Sequence, residues 1–308
     1  MDRRRSGNAL PIASRAPRRA VRHLSGARAM TPSSSVQAAL GPQWLEPLLL
    51  REGDVDIWVA LVAHAPDASL AAQFDSVLTA DERIRHGKFF FDKDRRRYLV
   101  TRSLVRYVLS RYIPIAPPDW RFEATEFGRP AIANVHPDVP GLTFNISHSD
   151  SVVLLGVTRD AQLGIDVEDL QRRVPLDVAD GYFAADEVRQ LRALPPALQP
   201  ARFLDFWTLK ESYIKARGKG LSIPLDQFAF DLSDGAPVTV TFDPRLGDTP
   251  ERWSFWQWRP SAESLAALCV ENKRGITARI SVRRAVPFVS EQTVGFKVLR
   301  GSGFCKTL

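Results

Sequence analysis

The sequence predicts an α+β fold of two similar halves packed against each other. A helical stretch is followed by short strands separated by Gly, Pro and Asn, and then the same succession comes round a second time. No clear residue-level repeat accompanies it, so the duplication is read from element order.

In the first cycle, Ile57-Trp-Val-Ala-Leu-Val62 is a short apolar run of buried-strand type. Thr79-Ala-Asp81-Glu82 has a capping residue followed by acidic residues, which is how a helix starts. From there to about Tyr112, Phe89, Leu99, Val100, Leu104, Val105, Val108 and Leu109 recur at helical spacing, giving one long amphipathic helix or two in succession. Strands are expected over 120–124, 131–133, 143–146 and 152–157. The second cycle has a strand over 163–167, helices over 185–193 and 202–216, and strands over 228–232, 238–242, 253–259, 265–270 and 278–282. Pro195 to Pro200 reads as a loop, because its prolines oppose helix continuation. The division expected is 1–40 tail, 41–160 first half, 161–284 second half with a metal site, and 285–308 a second tail without an assigned role.

Composition excludes several classes. At 44% hydrophobic and 25% charged, the chain reads as globular, and no run approaches the roughly 18–20 apolar residues of a membrane span. The net charge of +7 belongs to the N-terminus. Residues 1–29 hold eight arginines against Asp2, and the remaining 279 residues balance 34 basic against 34 acidic side chains. General polyanion binding by the folded part therefore loses its support, and neither nucleic acid nor membrane is expected as a partner. The arginine-rich segment is expected to be disordered. Two readings of it stand: translation that starts at Met30, or an organelle-targeting leader. Cys269 and Cys305 lie far apart and outside metal-ligand spacing, which favours a reducing, cytoplasmic location without disulfides.

The chemistry sits in two motifs. In Leu163-Gly-Ile-Asp166-Val-Glu168-Asp, strand periodicity puts Asp166 and Glu168 on one face and Ile165 and Val167 on the other. About forty residues later, Trp207-Thr-Leu-Lys210-Glu211-Ser-Tyr-Ile-Lys215 places Trp207, Glu211 and Lys215 at i, i+4 and i+8 of a helix, with Lys210 beside them. Oxygen-only ligands suit a hard cation such as Mg²⁺, shared with substrate phosphates, while the lysines neutralise remaining phosphate charge. Taken singly, each motif is also what an edge strand, an i,i+4 ion pair and a core tryptophan look like.

Order and context add to this. Phe144-Asn-Ile-Ser147-His148-Ser149, then Gly164-Ile-Asp166-Val-Glu168, then Phe206-Trp207 through Lys215 to Gly218-Lys219-Gly220-Leu221-Ser-Ile-Pro224, resembles the signature set of the Sfp-type 4′-phosphopantetheinyl transferases. Upstream, Arg85-His-Gly-Lys88-Phe89 with Arg95-Arg-Arg-Tyr98-Leu, and Phe127-Gly128-Arg129-Pro130, resemble the family's coenzyme A-binding stretches. The resemblance runs from about Val55 to about Glu271.

It implies a monomeric pseudo-dimer with the substrate in the cleft between its halves. The enzyme, of holo-[acyl-carrier-protein] synthase type, would move the 4′-phosphopantetheine of coenzyme A to a serine of an apo acyl or peptidyl carrier protein and release adenosine 3′,5′-bisphosphate. The cofactor is Mg²⁺, with Mn²⁺ as substitute, on Asp166, Glu168 and Glu211. Glu211, Lys215 and Asp166 are the catalytic candidates. Coenzyme A contacts are expected from Arg83, Arg85, Arg97, Tyr98, Arg129, Ser147, His148, Asp166, Lys210 and Lys215.

Two positions depart from the family pattern. Arg85 replaces a lysine and keeps the charge; Tyr98 replaces a small hydroxyl residue and adds bulk, which puts its contact in doubt. Between Arg83 and Arg106, nine basic residues face Asp92 and Asp94, and about half are expected to be a helix's solvated face. Phe183 or Tyr213 are candidates for carrier docking, or else core. A Ser–His nucleophile at 147–149 lacks a Gly-x-Ser-x-Gly elbow, and Gly218-Lys219-Gly220 has the wrong order for a P-loop. The alternative function is a non-catalytic coenzyme A-binding module.

Overall fold

A computed structural model describes residues 47–64, 68–233, 235–273, 275–302 and 306–307. The arginine-rich segment and Cys305 lie outside the described residues.

In chain order the strands are β1 (Asp54–Leu61), β2 (Phe122–Ala124), β3 (Pro130–Ile132), β4 (Leu142–His148), β5 (Val152–Arg159), β6 (Leu163–Asp169), β7 (Phe228–Asp231), β8 (Thr239–Phe242), β9 (Trp253–Ser261), β10 (Ser264–Glu271), β11 (Arg279–Val286), β12 (Ser290–Val294), β13 (Val298–Gly301) and β14 (Lys306–Thr307). The helices are α1 (Ala68–Ser76), α2 (Ala80–Gly87), α3 (Asp92–Ser110), α4 (Asp177–Tyr182), α5 (Ala185–Arg192) and α6 (Gln199–Arg217). One sheet runs β12-β11-β1-β5-β4, with β14 on β11; the second runs β13-β9-β10-β6.

Alternation within the strands stacks the sheets. Val55, Ile57 and Val59 of β1, with Val152 and Leu154 of β5, meet Leu163, Ile165 and Val167 of β6 and Trp256, Trp258, Ala266 and Leu268 of the second sheet. The other faces carry helices. Trp58, Val153 and Leu155 pack with Leu104, Val108 and Leu109 of α3, while Phe255, Leu265 and Ala267 pack with Phe206, Leu209 and Tyr213 of α6. The result is helix, sheet, sheet, helix in four layers, with one 19-residue helix on each outer side. This is the expected α+β duplication.

Local signals explain most boundaries. Thr79 accepts from the Glu82 amide and Glu82 closes a capping box, so α2 starts where the sequence indicates. The helical stretch that follows is two helices, broken at residues 88–91. Helix α6 begins at Gln199, three residues before the expected start. Pro200 is tolerated there because first-turn amides need no intrahelical partner. The helix ends on Gly218 at φ 65°, a left-handed position suited to glycine.

Two expectations are corrected. The segment read as a C-terminal tail, 285–308, carries β12 on β11 and β13 on β9, and so closes an edge of each sheet. Strand β11 itself returns to the first sheet, parallel to β1, and so completes the half to which β1 belongs. Phe183 and Tyr213 are both core, 4% and 0% exposed, and offer nothing to a partner.

Helix α6 lies directly on β6 at Gly164. A Cβ there would sit 2.0 Å from the Ser212 carbonyl oxygen and 2.3 Å from the Ala216 amide nitrogen, backbone atoms that cannot rotate away. Gly164→Ala is expected to destabilise the fold by about 3 kcal/mol or more, the upper end of core overpacking, measured as a lower midpoint of urea denaturation.

Candidate active site

The close approach at Gly164 sets the site. Two and four residues on, Asp166 and Glu168 project from β6 toward the helix, and one helical turn brings Glu211 and Lys215 over them. The first half contributes Ser147 and His148 from the end of β4.

Ser147, Asp166 and Lys215 form a closed triangle. Ser147 Oγ donates to Asp166 Oδ1 at 3.0 Å, and Lys215 Nζ donates to Asp166 Oδ1 at 2.5 Å and to Ser147 Oγ at 2.9 Å. The other carboxylate oxygen, Asp166 Oδ2, is buried without a hydrogen-bond partner, an arrangement that calls for a ligand. Glu168 Oε1 accepts from Trp207 Nε1 at 3.0 Å and pairs with Arg172. Trp207 stacks on Phe203, which fixes the donor.

Burial and then the Asp166 charge push the Glu211 carboxyl up to about 7, with Glu168 adding and Lys215 opposing. Glu168 is also raised, by burial and then by Asp166. Three acidic groups thus share a partly enclosed space with two cations, Lys215 on Asp166 and Arg172 on Glu168, so the carboxyl groups outnumber the positive charges.

Hard oxygen donors with an orphaned Asp166 Oδ2 suit Mg²⁺ or Mn²⁺ in chemistry. Among the described residues, no three His, Cys, Asp or Glu side chains are close enough to hold an ion as they stand. Asp166 Oδ1 is taken by Lys215, and Glu168 is turned to Arg172 and Trp207. Asp166 and Glu211 are therefore the available donors, and Glu168 would be shared with Arg172.

On the first-half side His148 has an exposed face at the end of β4, but the protein packed around its ring and then Arg97 hold it below the ordinary imidazole range, which favours the neutral ring. Arg97 bridges Asp94 and Asp150, and Lys93 Nζ reaches Asp150 at 2.9 Å. Asp169 pins this turn to the second half: it accepts from Ser149 Oγ at 2.7 Å, Ser151 Oγ at 2.5 Å and the Asp150 amide at 2.9 Å. The site is built across the seam between the sheets.

The structure brings Arg97, Ser147, His148, Asp166, Glu168, Glu211 and Lys215 together. Arg85 is exposed at the end of α2, with its guanidinium 5.9 Å from the Tyr98 ring. Tyr98 packs on Phe89 and His86, and its hydroxyl is buried without a partner.

Three expected coenzyme A contacts have other duties. Lys210 is fully buried, donating to Leu225 O at 2.7 Å and Phe228 O at 2.6 Å and pairing with Glu187 at 2.7 Å. Arg129 does occupy a tight turn, but its guanidinium reaches inward to the carbonyls of Lys215, Ala216, Phe144 and Leu163, tying β4 and β6 to the end of α6. Arg83 holds Asp75 and the Asp75 and Ser76 carbonyls at the end of α1. Helical spacing placed Lys210 beside Glu211 along the chain, but adjacent helix positions face different ways.

Sequence reasoning missed Glu187, Asp150, Asp169 and Arg172. Asp169 and Asp150 directly follow or flank the two motifs, which was the available signal. Glu187 had none, because its partner lies across a tertiary contact.

Two family models match the chain. One described as "4'-phosphopantetheinyl transferase superfamily" matches residues 162–270, and one described as "4'-phosphopantetheinyl transferase, N-terminal" matches residues 64–159. The 4'-phosphopantetheinyl transferase HetI of Nostoc sp. is 30% identical over 224 residues, covering 72% of this chain and 90% of that protein. The chain belongs to the 4′-phosphopantetheinyl transferase superfamily. Also similar to this superfamily member are two 4'-phosphopantetheinyl transferases of Bacillus subtilis, Sfp and ffp. Each is 36% identical and covers 54% of this chain, with 72% and 71% of their own lengths matched. Among the described residues, no helix of this transferase-family chain is long and apolar enough to cross a membrane.

Two predictions follow from the charges. Because the Glu211 carboxyl is held up to about 7 when folded, against an ordinary value of 4.5, the unfolded chain releases this proton first and folding stability falls as pH rises between those values. In EDTA, Glu211→Gln should therefore raise Tm at pH 8 by about 3 °C or more and leave it nearly unchanged at pH 4.5, read by scanning calorimetry. Lys210→Met, which strands buried Glu187, should cost about 3–5 kcal/mol, measured by chemical denaturation.

Proposed function

We propose that this protein transfers the 4′-phosphopantetheine of coenzyme A to a serine hydroxyl of an acyl or peptidyl carrier protein, in a Mg²⁺-dependent reaction that releases adenosine 3′,5′-bisphosphate. The observation that carries the reading is the acidic cluster of Asp166, Glu168 and Glu211 facing Lys215 and Ser147, on a chain whose relatives are named as 4′-phosphopantetheinyl transferases.

Each residue has a role that follows from its surroundings. The carrier serine Oγ attacks the phosphorus that bears the pantetheine arm, and the bond from that phosphorus to the adenosine bisphosphate oxygen breaks. Glu211 takes the serine proton, directly or through water. In the metal-free site the carboxyl is held up to about 7; a bound cation would lower it and keep Glu211 ionised, ready to accept that proton. Lys215, fixed by Asp166 and Ser147, lies where it can neutralise charge on the departing bisphosphate. Arg97 and neutral His148 supply further donors for phosphate oxygens from the first half.

Asp166 and Glu211, with Glu168, would hold the divalent cation, whose chemistry when bound is to spread the charge developing on the pyrophosphate. The orphaned Asp166 Oδ2 supports this assignment. A metal there would also relieve the repulsion among the three carboxyl groups.

The test is mass spectrometry of an apo carrier protein incubated with this protein, coenzyme A and Mg²⁺, with and without EDTA. A metal-dependent gain of about 340 Da on the carrier, the mass expected for the transferred group, would establish the activity. No gain on several unrelated carriers would favour the non-catalytic coenzyme A-binding alternative. Asp166→Ala and Glu211→Ala should each abolish the gain with circular dichroism unchanged; full activity in either would remove the metal assignment.

A further inference from the structure

We propose that the exposed aromatic pair Phe90 and Phe91 is the docking face for the acceptor protein, and that it takes an apolar helix face bordered by carboxylates. The inference rests on the carrier-protein reading given above.

Large apolar side chains are seldom left in water as a cluster without a use. Phe90 is 86% exposed and Phe91 58%. Phe90 and Phe91 pack on each other edge to face at 5.0 Å rather than on the core, whereas Phe89, their neighbour in the same run, turns in against Tyr98. Their backbone is held firmly. The Arg95 guanidinium donates to the Phe89 carbonyl at 2.7 Å, and the Asp94 and Arg95 amides both donate to the Phe91 carbonyl at 3.1 Å. A fixed aromatic pair binds with little ordering cost.

Position and charge decide the occupant. Phe91 caps α3, and Arg97, which reaches Asp150 in the turn just after His148, lies six residues on; that is about 9 Å along the helix at 1.5 Å per residue. That distance puts the aromatic pair within reach of a protein whose serine enters the site. Lys88 and Arg96, both exposed and without an ion pair to a described carboxylate, flank the aromatic pair in sequence. Unpaired cations around an apolar patch suit a partner with the opposite pattern, an apolar helix stripe with acidic borders.

The experiment compares wild type with the Phe90→Ser, Phe91→Ser double variant. Transfer is followed against carrier concentration, and coenzyme A affinity by calorimetry. The expected result is a rise of about tenfold or more in KM for the carrier, the loss of one buried aromatic anchor. The kcat at saturation, Tm and coenzyme A affinity should stay near wild type, and wild-type KM should rise with NaCl. An unchanged carrier KM in an active, folded double variant would overturn the docking face and leave the proposed activity standing. No transfer by wild type to any carrier would remove both.

Discussion

The contact between α6 and β6 at Gly164 is the constraint on which the site depends. Because no side chain separates strand from helix there, the backbone of α6 rests against the strand. Asp166 is then within 2.5 Å of Lys215 and close enough to raise the Glu211 carboxyl. Moving the helix out by one methyl group would change each of these relations. The buried Lys210–Glu187 pair serves the same end from the helix's other face, bonding α6 to the segment entering β7 and to α5.

Held in this way, the carboxylates carry a repulsion that the protein does not relieve internally. Lys215 satisfies one oxygen of Asp166, Arg172 and Trp207 satisfy Glu168, and the buried Asp166 Oδ2 is left over. Stability lost to such strain is recovered when a cation or proton enters, which is how a binding site differs from a structural ion-pair network. Lys210 and Glu187 show the contrast: they are more deeply buried, but every donor of the lysine has a partner.

The seam between the halves has its own fastenings. Asp169 gathers the serines of the β4–β5 turn, and the Arg129 guanidinium joins carbonyls from β4, β6 and α6. Both are polar contacts at the edge of the apolar layer between the sheets. They orient Ser147 and His148 toward residues that come from the other half. An arginine whose motif suggested phosphate binding thus acts as a brace.

The amino-acid sequence by itself determined the α+β class, strands β1 to β11, helices α2, α3, α5 and α6, and the face on which Asp166 and Glu168 stand. These depend on periodicity and on local caps such as Thr79, which act over a few residues. It also determined that Glu211 and Lys215 share a helix face. Tertiary structure alone decided which cations remain available. Lys210, Arg129 and Arg83 look like phosphate ligands until their partners, 15 to 87 residues away for the first two, and the end of α1 for the third, come into place. It also decided that 285–302 completes the sheets, since a strand edge becomes visible only when the strand it pairs with is in place. Periodicity reports which way a side chain points, whereas burial and charge neighbours depend on what the rest of the chain brings to meet it.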